Sequence, residues 1–141
     1  MTWRPSSIIV CDDIRVEMDG KQILVGVYAG DIIFPSFPAR MNQLLFRVEV
    51  IAYNEPHKTL SFRIMNNSGD VLMNLDGDAP PEHPSENSVF VFALHQPVFS
   101  REEKYTVEFG FDGVLKNIGE FRVRLPHNSL ELEKAASKPL A

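Results

Sequence analysis

The chain holds one cysteine, so no internal disulfide can form. That residue, Cys11, closes the apolar run Ile8-Ile9-Val10 and reads as a small buried hydrophobe rather than a nucleophile. Basic runs are also missing: none of the 14 Lys and Arg residues adjoins another. With a net charge of −5, this argues against a nucleic-acid partner and against docking on an anionic membrane. No apolar stretch approaches the ~20 residues of a spanning helix. The opening "MTWRPSS" does not resemble a secretory leader. The expected location is the cytoplasm.

The spacings that enzymes need are absent as well. There is no G-x-S-x-G elbow, no G-K-[ST] and no G-x-G-x-x-G, hence no nucleophile turn and no standard phosphate cradle. His57, His83, His95 and His127 are scattered, and none forms H-x-H or H-E-x-x-H. No cofactor is expected, and a catalytic site would have to be assembled across distant strands.

What the chain has is alternation. Its 141 residues suit one domain, and ten phenylalanines supply core material worth roughly 1.5–3 kcal/mol each when buried. Ile14, Val16 and Met18 alternate with charged residues, and Ile23, Val25 and Val27 alternate beyond Asp19-Gly20. A two-residue turn at Asp19-Gly20 predicts a hairpin with Val16 opposite Ile23, Ile14 opposite Val25 and Asp13 opposite Gly26. "GDIIFPSFPARM" contains Pro35 and Pro38 and reads as an edge or a crossover between sheets. Further strands are expected through Phe46–Ala52, Leu60–Ile64, "VLMNL", Val89–His95 as a central strand, and Tyr105–Phe111. Asp112-Gly113 then turns into a last strand through Phe121, Val123 and Leu125. A strict turn there puts Lys116 opposite Phe109, so a bulge or a slip is expected near Asn117–Gly119. Asp76 to Ser88, with three prolines, reads as a long loop.

The fold expected is all-β: an antiparallel, immunoglobulin-like β-sandwich of seven to nine strands over residues 1–125. Residues 126–141 form a tail, frayed or a short helix. Tyr105, after the polar "SREEK", suits the tyrosine that ties down a sandwich corner, and Trp3 reads equally as core or as contact.

Two groups of residues are candidates for binding. Asp12, Asp13, Asp31, Asp76 and Asp78, with Glu82 and Glu86, are oxygen donors of the kind Ca²⁺ takes, but they form an inventory rather than a motif. Asp12 and Asp13, as strand neighbours, point to opposite faces and cannot both hold one ion without a bulge. Asp19 and Asp112 are better explained as turn formers. Phe34, Phe37 and Met41, among prolines, would form an apolar partner contact if exposed, or would plug the end of the sandwich if buried.

The stretch Cys11–Pro38 carries D-D-x-R-x-E, G-K, G-V-Y and P-x-F-P in succession. This combination resembles a family of small bacterial proteins defined as a domain of unknown function, over about Ser7 to Leu125. The resemblance implies a bacterial source and a small β-rich domain, and brings no activity or site residues with it. The expected role is a non-enzymatic module that binds a protein partner, or itself, through an exposed strand or the proline-rich edge. The alternative is a small-ligand or Ca²⁺-binding sandwich built on the acidic residues.

Overall fold

The computed structural model describes residues 3–51, 56–80 and 87–136. Among them the chain forms eleven strands and one helix. They are β1 (Arg4–Val16), β2 (Gln22–Tyr28), β3 (Asp31–Ile33), β4 (Ala39–Arg40), β5 (Gln43–Ile51) and β6 (Thr59–Asn66). Then come β7 (Val71–Asp78), β8 (Asn87–His95), β9 (Val98–Phe99), β10 (Glu103–Phe111), β11 (Val114–Arg124) and α1 (Ser129–Ala136). A four-stranded sheet runs β2-β1-β5-β8, a five-stranded sheet β3-β11-β10-β6-β7, and β4 and β9 form a two-stranded ribbon. The all-β fold follows the alternation in the sequence. The extra strands are β3, β4 and β9, two or three residues each and too short for a period of two to show. β3 runs parallel to β11, through Ile32↔Val123, so the five-stranded sheet is mixed.

The chain divides into two compact units, and β1, β5, β8, β10 and β11 contribute residues to both. The first comprises Met1–Ile9, Arg47–Phe92 and Tyr105–Glu120. Its core is aromatic and joins the two large sheets. Phe62 of β6 stacks on Phe92 of β8 at 4.1 Å, and Phe109 of β10 lies 5.8 Å from the same ring. Trp3 is buried edge-on against Phe109 and Phe111, which settles it as core. Alternation in β10 places Tyr105, Val107, Phe109 and Phe111 inside, and β6 does the same with Leu60, Phe62 and Ile64.

Asp112 and Gly113 both have positive φ, 54° and 83°, as a two-residue type I′ turn requires. The Asp112 carboxylate accepts the Lys58 and Thr59 N–H groups and lies 2.8 Å from His57 Nδ1. The His57 contact first, then the two N–H groups, holds Asp112 below the usual carboxylate range. Lys116 stays on the inward side of β11, its ammonium 4.3 Å from the centre of the Trp3 ring. Burial then changes parity, from half-buried Lys116 and Ile118 to buried Phe121 and Val123, beside an Asn117 side chain that accepts the Gly119 N–H.

The second unit comprises Val10–Phe46, Ala93–Lys104 and Phe121–Ala141. Phe46 of β5 faces Phe121 of β11 at 5.7 Å, again linking the two large sheets. Phe34 packs at 5.7 Å on Phe99 of the β4–β9 ribbon. "GDIIFPSFPARM" is the crossover, leaving β2 in one sheet, adding β3 to the other and returning through β4 to β5.

Three expectations need correction. Among the described residues β8 is an edge strand, not a central one: Phe92 is buried on one face while Val89 and Val91 are exposed on the other. β7 runs on through Asp78, so the irregular stretch is shorter than Asp76–Ser88; residues 81–86 of it lie outside the described residues, as does Ala52.

The third correction is the β1–β2 hairpin, which pairs Val16 with Gln22, Arg15 with Ile23, Ile14 with Leu24 and Asp13 with Val25. This is one residue from the register the Asp-Gly turn predicts. Here the Gly20 N–H bonds to Glu17 O and the Glu17 N–H to Lys21 O, with Gly20 at φ 87°. That is a three-residue loop, in which glycine serves as the left-handed bulge after a turn at Met18-Asp19. One residue of slip exchanges the faces of a whole strand.

Candidate functional site: an exposed edge strand

The slip in register decides what β2 presents. β2 ends the four-stranded sheet, with β1 on one side and no strand on the other among the described residues. Opposed residues share a face, so Ile23, Val25 and Val27 lie on the side of Arg15, Asp13 and Cys11. Cys11 is fully buried, but the three β2 residues are exposed at 44%, 37% and 57%. Toward the hairpin tip Met18 is exposed as well, and Val16 is exposed on the opposite face. From Gln22 to Tyr28 the strand has no charged residue or proline, and its backbone departs from extended geometry at Gly26, φ 68°.

The other face of the hairpin carries Asp12 and Tyr28 beside Ile14, Leu24 and Val16. Asp12 lies opposite Gly26, between the Cys11↔Val27 and Asp13↔Val25 pairs. Gly26 has φ 68°, and a Cβ there would stand 2.2 Å from Asp12 Oδ2. The carboxylate fills the space that glycine leaves, and Tyr28 OH donates to Asp12 Oδ1 at 2.5 Å. Burial first, then this bond to a carboxylate, pushes the Tyr28 phenol well above its usual range, so it stays a donor. On the Val25 face, Gln43 of β5 donates to Asp13 Oδ1 and also reaches the backbone Asp12 O, and Arg15 pairs with Asp13 at 3.6 Å.

The remaining candidates are committed elsewhere. Asp31 accepts from Arg124 Nε at 2.8 Å. Asp76 accepts from Ser61 Oγ at 2.6 Å, and Asp78 ends the edge strand β7. Among the described residues no three His, Cys, Asp or Glu side chains converge to hold a metal ion; Glu82 and Glu86 lie outside them. Phe34, Phe37 and Met41 do not make a surface contact patch. Phe34 is buried against Phe99 of the ribbon, Met41 is buried with its N–H bonded to Pro97 O, and Phe37 is half-buried 5.9 Å from Phe34.

One charged cluster was not visible in the spacing. Arg124 is 8% exposed and donates to Asp31, to both oxygens of Glu131 and to Leu125 O. Its bidentate bond, with the His127 N–H, lowers Glu131 to about 2 and raises Arg124 further. With its donors shared among three partners, the guanidinium is a clamp that docks α1 on β3 and β11, not a ligand site. Its partners lie 93 and 7 residues away, and no sequence motif joins them.

No helix among the described residues is long and apolar enough to cross a membrane. Among solved structures, the chain is similar to the crystal structure of the C-terminal domain of wzt. The TM-score is 0.51 at 10% identity, over 90% of this chain and 75% of that one, a likeness of fold alone. No curated protein matches. The model of the family of unknown function DUF6941 matches residues 6–124, and the chain belongs to that family.

Proposed function

We propose that the protein is a non-enzymatic β-sandwich module that binds protein chains by strand addition at β2. The observation that carries this reading is an uncharged edge strand with three exposed β-branched side chains on one face. Added strands gain main-chain hydrogen bonds from the edge and side-chain contacts from alternate residues. The polar groups beside the edge support the same reading. Asp12, Tyr28, Asp13 and Gln43 bond one another and stiffen the hairpin that presents β2.

The test is capture from host lysate with tagged wild-type protein and an Ile23→Lys/Val27→Lys variant, both verified as folded by circular dichroism. Wild type is expected to retain a stoichiometric protein that the variant releases. A folded wild-type bait that retains nothing and is monomeric in solution would overturn the proposal.

A further inference from the structure

The pattern of β2 also bears on its occupant. We propose that β2 pairs antiparallel with β2 of a second copy, about a two-fold axis passing beside Val25; this rests on the strand-addition reading. Val25 is the midpoint of Gln22–Tyr28, so this register overlaps all seven residues of each strand. On the exposed face it sets Ile23 against Val27 of the second copy, and Val25 against Val25. All three exposed side chains of each copy are covered, as β-branched cross-strand pairs. On the other face Leu24 meets Gly26 of the second copy, a large residue against one without a side chain, and Gln22 meets Tyr28.

Neighbouring registers fit worse. Centred on Leu24, the pairing sets Lys21 against Val27 and leaves a charge against the apolar stripe. Centred on Gly26, it moves Ile23 off the end of the strand and sets Leu24 against Tyr28.

Charge agrees with the central register. The chain carries −5, yet no charged residue of β2 meets its own copy. The nearest like charges in the central row are the Asp13 carboxylates, three strand spacings or about 14 Å apart. That exceeds a Debye length of about 8 Å at physiological salt, and each is paired with Arg15. Seven residues a side is far below the ~20–30 of a standard interface, so the dimer is weak and concentration-dependent.

The experiment combines sedimentation equilibrium with cross-linking by oxidised glutathione. Directly opposed Cβ atoms lie about 4.5–5.5 Å apart, close enough for a disulfide after a small shift. Val25→Cys is expected to form a covalent dimer. A mixture of Ile23→Cys and Val27→Cys should cross-link, and Ile23→Cys alone should not. Wild type, whose only thiol is buried Cys11, and Val71→Cys on the edge strand β7 are the controls. Val25→Lys, which sets like charges against each other at the axis, should raise the dimer Kd at least about tenfold.

Monomeric wild type with no Val25→Cys dimer, or equal cross-linking of Val71→Cys, overturns the second copy as occupant. A lysate partner lost by the Ile23→Lys/Val27→Lys variant would then leave strand addition standing with a different chain on β2.

Discussion

At position 26 a side chain has no room. The Asp12 carboxylate stands where a Cβ would be, and φ of 68° strains any L-residue. Gly26→Ala should therefore cost at least about 1–2 kcal/mol, read from urea unfolding. It should also push Asp12 aside and break the Tyr28 bond, which ultraviolet titration of the phenol reports independently of stability. Asp12→Asn separates the two effects. It keeps the shape but removes the charged acceptor, so the Tyr28 pKa should fall toward the ordinary value of about 10 without reaching it, because burial, the largest cause, remains. Assignment comes from a Tyr28→Phe difference titration. A phenol unchanged in Asp12→Asn would mean that the bond has no influence on the proton.

At the scale of elements, α1 is short and depends on its ends. Asn128 Oδ1 accepts the Glu131 N–H at 2.9 Å, an N-cap, so Asn128→Ala should cost about 1 kcal/mol in thermal unfolding. Glu131 sits at about 2 in the folded chain against an ordinary 4.5. A depressed carboxylate stabilises fully above its unfolded pKa, so this contribution is complete above about 4.5 and is lost as pH falls from there toward about 2. Wild type should lose stability in that acid window relative to Glu131→Gln, and equal slopes would contradict the clamp.

The same elements show what could be read from sequence. The β6, β10 and Phe121–Val123 cores follow alternation because their faces are buried by position in the sheet. The dipeptide Asp-Gly marked both hairpins, but glycine fills different turn positions in them, and only the bonds of Gly20 reveal which. Alternation in Ile23, Val25 and Val27 looks the same in a core strand and in an exposed edge. What separates them is strand order, a long-range property. Arg124 was illegible for the same reason, since its carboxylates arrive from β3 and α1.

Taken as a whole molecule, the chain resists its own copy. Two chains of −5 at about 30 Å in water repel by about 3 kcal/mol without screening. A Debye length of about 30 Å at 0.01 M salt leaves roughly a third of this, and one of about 8 Å near 0.15 M leaves almost none. Because β2 brings no charge to the axis, salt has no attraction there to weaken. Raising salt over that range should thus tighten the β2 dimer by about 1 kcal/mol, roughly fivefold in Kd by sedimentation equilibrium. A dimer held by ion pairs would respond in the opposite sense. If the measured Kd rises with salt, the contact lies on a charged surface of the molecule and not along Gln22–Tyr28.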